Sequence, residues 1–495
     1  APAHLSYRIG RGTEMSVLLL AARSAVDSEY ADASFWRSCS LQAQRLLGSA
    51  SLGDVVRLAE AAARCAFRDD ELLYNLGDAM RQRPAELDTD ALALALRAHA
   101  TLGVRNDRLV AWLRDLLFEH MQQSRATASG LSAALRGLAQ LQAQGLAEPP
   151  PPELLEAACR MITQHLGFFS ADQLGEVLEA FAAYQVKGDR QVSALLGGIG
   201  TVLVRDAQHL PASRCAGAVR AFARCRVHDE RLLVAVAGRL RANEVRAELS
   251  PQEIADTLYG FAKFTCQDTA LLDLLSIEAR RHLHQMPLPL VSATLASLAK
   301  AGVTSSVLAN RAAAKVKRAL PEEVDTATNE ELAKLAMAFG KLQVRDGPLY
   351  DSMAESFLRR TAPPFTRAPI GDIVSISHAF TKVHCVHPQL FRAIALELLA
   401  RFEELDFRDL VKYLHGVAKV EHMPPPGLQE RVLQTLQTDL VAELGVFDLL
   451  KLATAAKRLG LRVPSLEAHV GMVLPNEARD GASALGPGRR PGKPG

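Results

Sequence analysis

Apolar positions along this chain form short helical stripes, and the stripes themselves recur. The segments "VRAFARCRVHDERLL" from Val219, "LYGFAKFTCQDTALL" from Leu258 and "AMAFGKLQVRDGPLY" from Ala336 share one pattern. An apolar anchor is followed by a basic residue two positions later, an Asp seven positions later, and a second apolar run; "HAFTKVHCVHPQLF" from His378 is a fourth version without the Asp. Aligned on the anchor, the chain gives Ala21, Ala62, His99, Leu138, Phe181, Phe222, Phe261, Leu298, Phe339, Phe380, Val417 and Ala455, at intervals of 37–43 residues. Such a period is the mark of a repeat architecture.

Each unit reads as two helices. Ile254 and Leu258 precede Phe261, Leu332 and Leu335 precede Phe339, and Ile373 and Ile376 precede Phe380, all on one helical face. Leu272, Leu275, Ala279 and Leu283 repeat that period in a second helix. Ser250-Pro251-Gln252-Glu253 spells a capping box with proline at the first helical position, and Ser170 with Gln173 and Thr328 with Glu331 look alike. Asp69, Asp229, Asp268 and Asp346 stand where an N-cap of the second helix belongs.

One helical pair cannot cover its own apolar stripe, whereas stacked pairs bury theirs in a continuous core. The expected fold is all-α, an α-solenoid of about twelve helix-turn-helix repeats. The array should span residues 12–475, with an N-terminal half over 12–210 and a basic C-terminal half over 211–475. It should follow an extension over 1–11 and precede a disordered Gly/Pro/Arg tail over 476–495. Longer loops are expected at Glu148–Glu153, Pro363–Pro369 and Met423–Gly427.

Composition supports helices: of 495 residues 48% are hydrophobic but only 5% aromatic, and Ala and Leu dominate. A net charge of +2 does not by itself point to nucleic acid. Seven scattered cysteines with no CxxC pair argue against a disulfide framework and suggest free thiols in a reducing compartment. No apolar run approaches membrane-spanning length; Val17–Ala22 is typical of the longest. No phosphate-binding loop, GxSxG or HExxH appears, so neither an enzyme nor a cofactor is expected. Gly197-Gly198-Ile199-Gly200 falls in a second helix and suits a close helix contact. His384-Cys385-Val386-His387 resembles a metal cluster, but no other unit supplies partners, so no metal site is expected. His282 and His284 read as surface residues.

The chemistry lies in a ladder of cations. Two positions after the anchor stand Arg224, Lys263, Lys300, Lys341, Lys382, Lys419 and Lys457, unbroken over the last seven units, with Arg23 and Arg64 further upstream. Positions two and five before the anchor share the face turned from the core, adding Arg220, Lys334 and Lys412. Over those units the three rows hold ten basic residues and one acid, Asp256. Tyr259, Met337, His378 and His415 lie among them. Cations interleaved with flat or polarizable groups suit a single strand, whose phosphates need neutralising and whose bases stack. The expected RNA-binding residues are Arg220, Arg224, Tyr259, Lys263, Lys300, Lys334, Lys341, His378, Lys382, Lys412, His415, Lys419 and Lys457. The competing explanation is electrostatic: cations at a helix end complement the macrodipole. Glu176 and Glu179 occupy the corresponding face near Phe181, so units three to five read as protein-binding or structural.

The "AFAR", "GFAK" and "SLAK" segments, each followed by a short turn, and the small residue before the anchor (Gly260, Ala338, Ala379) resemble organellar helical-repeat proteins. The nearest groups are the octotricopeptide and heptatricopeptide repeat proteins, including the repeat regions of RAP-domain proteins. The resemblance covers roughly residues 12–475. It implies a non-catalytic, RNA-binding protein of a mitochondrion or plastid, acting in RNA stability, processing, splicing, translation or ribosome assembly, with single-stranded RNA as partner. The alternative is a protein-binding scaffold or structural subunit of an organellar ribosome or other complex. Neither a RAP domain nor the octotricopeptide proline-rich signature is recognisable, so no nucleotide code carries over.

Overall fold

A computed structural model describes residues 9–184, 186, 190–264, 268–303, 306–320, 328–359, 368–437 and 444–473. Cys266, the loop from Pro363 up to Arg367 and the tail from 476 lie outside the described residues, as does most of the N-terminal extension. The described residues form helices and no strand, an all-α helical-repeat protein.

The chain divides into two compact units, residues 1–249 with 259–264, and residues 250–258 with 265–495. In the first unit the leading helices of successive repeats are α1 (Met15–Asp27), α3 (Leu52–Arg64), α5 (Thr89–Leu102), α7 (Ala128–Ala143), α9 (Ala171–Tyr184) and α11 (Ala212–Cys225). Their partners are α2 (Ala33–Leu46), α4 (Asp70–Gln82), α6 (Asp107–Gln122), α8 (Pro152–Gln164), α10 (Arg190–Arg205) and α12 (Glu230–Arg241). A short α13 (Asn243–Ala247) follows. α14 (Pro251–Lys263) is shared between the units, and the second continues with α15 (Thr269–His282). Its further leading helices are α16 (Leu288–Ala301), α18 (Asn329–Lys341), α20 (Ile370–Lys382), α22 (Phe407–Lys419) and α24 (Val446–Arg458). Their partners are α17 (Ser306–Ala319), α19 (Gly347–Arg359), α21 (Pro388–Ala400), α23 (Pro426–Leu436) and α25 (Pro464–Val473). Among the described residues twelve pairs result, and α13 is an α-helix added to the expected scheme.

Within each unit leading helix packs on leading helix and partner on partner, giving two layers. All twelve anchors are buried, from Ala21 to Ala455, so the repeat register read from the sequence is the register of the core. The leading layer is the tighter one, because small residues let backbones approach. A Cβ built on Gly130 would lie 2.6 Å from the Thr89 carbonyl carbon, and one on Gly260 2.8 Å from the Val219 carbonyl oxygen. In α10 the glycines admit side chains instead: a Cβ on Gly198 would meet Leu166 Cδ1 and one on Gly200 would meet Asp229 Oδ2, each at 2.5 Å, while Gly197 faces open space.

The helix starts follow the capping chemistry. Asp69, Asp229, Asp268 and Asp346 accept the backbone N–H groups of Leu72, Leu232, Leu271 and Leu349 at 3.0–3.1 Å. Ser250 with Glu253, and Thr328 with Glu331, form reciprocal boxes, as do Ser170 and Gln173. His387 accepts from Leu390 N–H at 3.3 Å and so caps α21. Among the described residues no cluster of three metal-ligating side chains occurs. Cys39, Cys159, Cys215 and Cys225 are buried thiols, and Cys65 and Cys385 are half-buried.

Candidate nucleic-acid interface

The outer face of the leading layer differs between the units. In the first, several of its charges are matched between neighbouring repeats. Arg136 on α7 reaches Glu176 and Glu179 on α9, each at 3.3 Å. Arg214 on α11 reaches Glu179 at 3.4 Å and Asp172 at 3.0 Å, and Arg97 on α5 pairs with Glu60 on α3 at 2.8 Å. Arg220, Arg224, Tyr259 and Lys263 also belong to this unit. Arg224 and Tyr259 are exposed, whereas Arg220 and Lys263 are half-buried.

In the second unit the same face carries uncompensated charge. Lys341, Lys382 and Lys419 close the last turns of α18, α20 and α22, and among the described residues none of the three makes an ion pair. They sense one another: burial, then the charges of Lys341 and Lys419, push Lys382 below the usual lysine range. Adjacent helix axes stand about 8–10 Å apart, so the three form a row whose neighbours repel.

That row borders a pocket of about 370 Å³ between α18, α20, α22 and α24. Met337 and Val411 give it an apolar floor. His378, Lys382, Arg408, Lys412, His415, Lys419, Asp448 and Lys451 supply its polar wall. Burial, followed by the charges of Lys412, Lys419, Lys382 and His415, holds His378 down at about 4. His415 falls to about 4 through burial and then Lys419, Lys451 and Arg458. Both imidazoles are therefore neutral at pH 7, and the buried Nδ1 of His378 has no hydrogen-bond partner among the described residues. A neutral imidazole offers one donor and one acceptor, which suits a base edge or ribose hydroxyl.

Not every expected residue joins this cluster. Lys412 is partly engaged, donating to Ser375 Oγ at 2.9 Å with Asp409 at 3.9 Å. Lys334 is tied to Glu330. Lys300 and Lys457 are exposed in last helical turns but do not line the pocket. In α24 the pocket is met by Lys451, held by Asp448 at 2.8 Å and lying 4.2 Å from the Phe447 ring centre.

Two contributors were missed. Arg408 lies one turn before Lys412, and the run Arg408, Lys412, His415, Lys419 is a continuous face of α22, so extending the rows by four residues finds it. Lys451 belongs to a face of α24 rotated by about one residue. The same extension reveals an acidic border in the first helical turns: Glu330, Asp372, Asp409 and Asp448. Burial, then Glu330, raises the Asp372 carboxyl. The face is thus cationic towards the helix C-termini and mixed towards the N-termini, where Arg408 stands among the acids, rather than basic throughout.

No curated protein matches the chain. One similar structure is a homology model of the full-length AP-3 complex in an intermediate open conformation. It covers 95% of this chain and 91% of its own, at 10% identity and a TM-score of 0.26, too slight a likeness to argue from. Residues 139–449 match the family described as RNA-editing substrate-binding complex 6 protein, a span that holds every pocket residue except Lys451. That match supports an RNA-associated helical protein and does not extend to the octotricopeptide type specifically. Because it covers well over half of the sequence, the chain belongs to the RNA-editing substrate-binding complex 6 protein family.

Proposed function

We propose that the protein is a non-catalytic RNA-binding component of an RNA-editing assembly, and that the row Lys341–Lys382–Lys419 with its pocket takes a single strand. The observation that carries this reading is three neighbouring lysines without an ion pair among the described residues, on a face where Lys334, Lys412 and Lys451 each have a carboxylate beside them. At a spacing of about 10 Å each adjacent pair repels by roughly 0.4 kcal/mol in water, and more where solvent is displaced. Phosphates spaced along the row would relieve that repulsion. His378 and His415 would meet base or sugar groups over the Met337–Val411 floor. The family's name supports an RNA-related role, and the mitochondrion, rather than the plastid, is the organelle compatible with it.

A second reading, a protein-binding scaffold, draws support from the first unit, whose matched ion pairs offer little to a polyanion. The test is fluorescence anisotropy with labelled single-stranded RNA on the full chain. Changing Lys341, Lys382 and Lys419 together to Glu should abolish most binding and flatten its salt dependence while leaving the helical circular dichroism intact. Undiminished RNA affinity in that variant removes the proposed surface and leaves the scaffold.

A further inference from the structure

The partner layer of the second unit carries another concentration of positive charge. The last turn of α15 and the outer face of α17 enclose an open groove of about 800 Å³ lined by Arg280, Arg281, His284, Arg311, Lys315 and Arg318. Arg311, Lys315 and Arg318 recur at helical spacing with Ala314, so one face of α17 is committed to the groove. Two of the cations have structural duties. Lys315 donates to the carbonyls of Leu283, His284 and Met286 at 2.5–3.2 Å, closing the chain's exit from α15. Arg281 is held by Glu278 at 3.0 Å. Helix-end electrostatics accounts for the presence of Arg280, Arg281 and Arg318, which stand in the last turns of α15 and α17. It does not account for Arg311, which stands in the middle of α17, nor for gathering Arg280 and Arg318 around the same space. Among the described lining residues none is acidic.

We infer that this groove is a second contact for the phosphate backbone of RNA, on the layer opposite the lysine row. Its chemistry favours phosphate over an acidic protein. Four of its five cations are arginines, whose planar forks grip phosphate oxygens in pairs. Its apolar lining is only the buried Leu283 with Ala314 and Ala319, and no aromatic ring stands in it for a protein partner to pack on. An RNA longer than the row would then be held on both layers of one unit. The inference stands on residues separate from the lysine row.

The test uses the full chain with Arg280→Glu, Arg311→Glu and Arg318→Glu combined, and two RNAs. One has about eight nucleotides, enough for the row alone at roughly one nucleotide per repeat. The other has about forty nucleotides and reaches both surfaces. The variant should bind the long RNA at least about tenfold more weakly, with a salt slope shallower by about two from three lost phosphate contacts. It should bind the short RNA as the parent does. Unchanged long-RNA affinity overturns the inference, and so does equal loss for both RNAs, which would mean a disturbed fold. Polyglutamate displacing the long RNA from the parent, but not from the variant, would assign the groove to an acidic protein and also overturn it. If instead Lys341→Glu, Lys382→Glu and Lys419→Glu prove silent while the arginine variant loses binding, the lysine row fails and this groove stands.

Discussion

Replacing Lys382 by Gln separates a ligand-binding lysine from a helix-stabilising one, because the two roles predict different outcomes for stability and for RNA affinity. Lys382 closes α20, so a purely structural cation there would favour the helix dipole by about 0.3–1 kcal/mol, and its removal would destabilise the protein by that much. The local charges argue the other way. Its ammonium is half-buried and depressed by burial and by Lys341 and Lys419, with no carboxylate pairing among the described residues. Two like charges near 10 Å repel it by roughly 0.4 kcal/mol each in water, and salt screening at a comparable Debye length reduces this by about half. Partial desolvation adds to the penalty, so the repulsion released on neutralisation, about 0.5–1 kcal/mol, roughly offsets the lost dipole interaction and leaves the net change near zero. Lys382→Gln should therefore leave the melting temperature within about 1 °C of the parent while weakening single-stranded RNA binding several-fold and reducing the salt slope by about 0.7. Differential scanning calorimetry and anisotropy at several salt concentrations read the two effects. A lower melting temperature with unaltered RNA affinity would refute the reasoning and leave helix-end electrostatics as the explanation of the row.

The remaining predictions concern protons and packing. His378 and His415 titrate near 4 in the folded chain, below the ordinary histidine value of 6.5. Their contribution to stability is thus complete above pH 6.5 and lost as pH falls from there towards 4, as the unfolded chain takes up protons first. Urea midpoints should decline over that window, and less steeply in His378→Gln/His415→Gln. Phosphates bound beside the imidazoles should raise them again, so RNA binding near pH 5.5 should take up protons, measurable by calorimetry in buffers of different ionisation enthalpy; no uptake would separate the histidines from the ligand. Gly260→Ala places a methyl against the Val219 backbone and should cost about 1–3 kcal/mol, whereas Gly238→Ala, with open space around it, should gain a few tenths up to about 1 kcal/mol. Phe339→Ala empties a fully buried anchor and should cost about 3–5 kcal/mol by chemical denaturation.

The repeat was legible because its signals are local and redundant. An anchor such as Phe339 must be buried, a cap such as Asp346 must sit one residue before its helix, and twelve copies average out the weak ones. The addition of α13 was not legible, because it depends on Arg246 turning inward to the carbonyls of Leu240 and Arg241 and to Asn243, a contact with no periodic signature.

The site was half legible for a related reason. Rows counted from the anchor identify which residues face outward, and Lys341, Lys382 and Lys419 do. They do not show what each cation is paired with, since pairing depends on the adjacent repeat. Arg136 and Lys382 both lie on the outer face of a leading helix, yet Arg136 is matched by two glutamates of α9 and Lys382 meets only more lysines. The difference is set by what stands one repeat away: Glu176 and Glu179 in the first unit, Lys341 and Lys419 in the second. A stacked array makes neighbouring repeats electrostatic partners, so the charge that matters is the part left over after each repeat has been paired with the next. By that measure the lysine row is a place where, among the described residues, positive charge is left over.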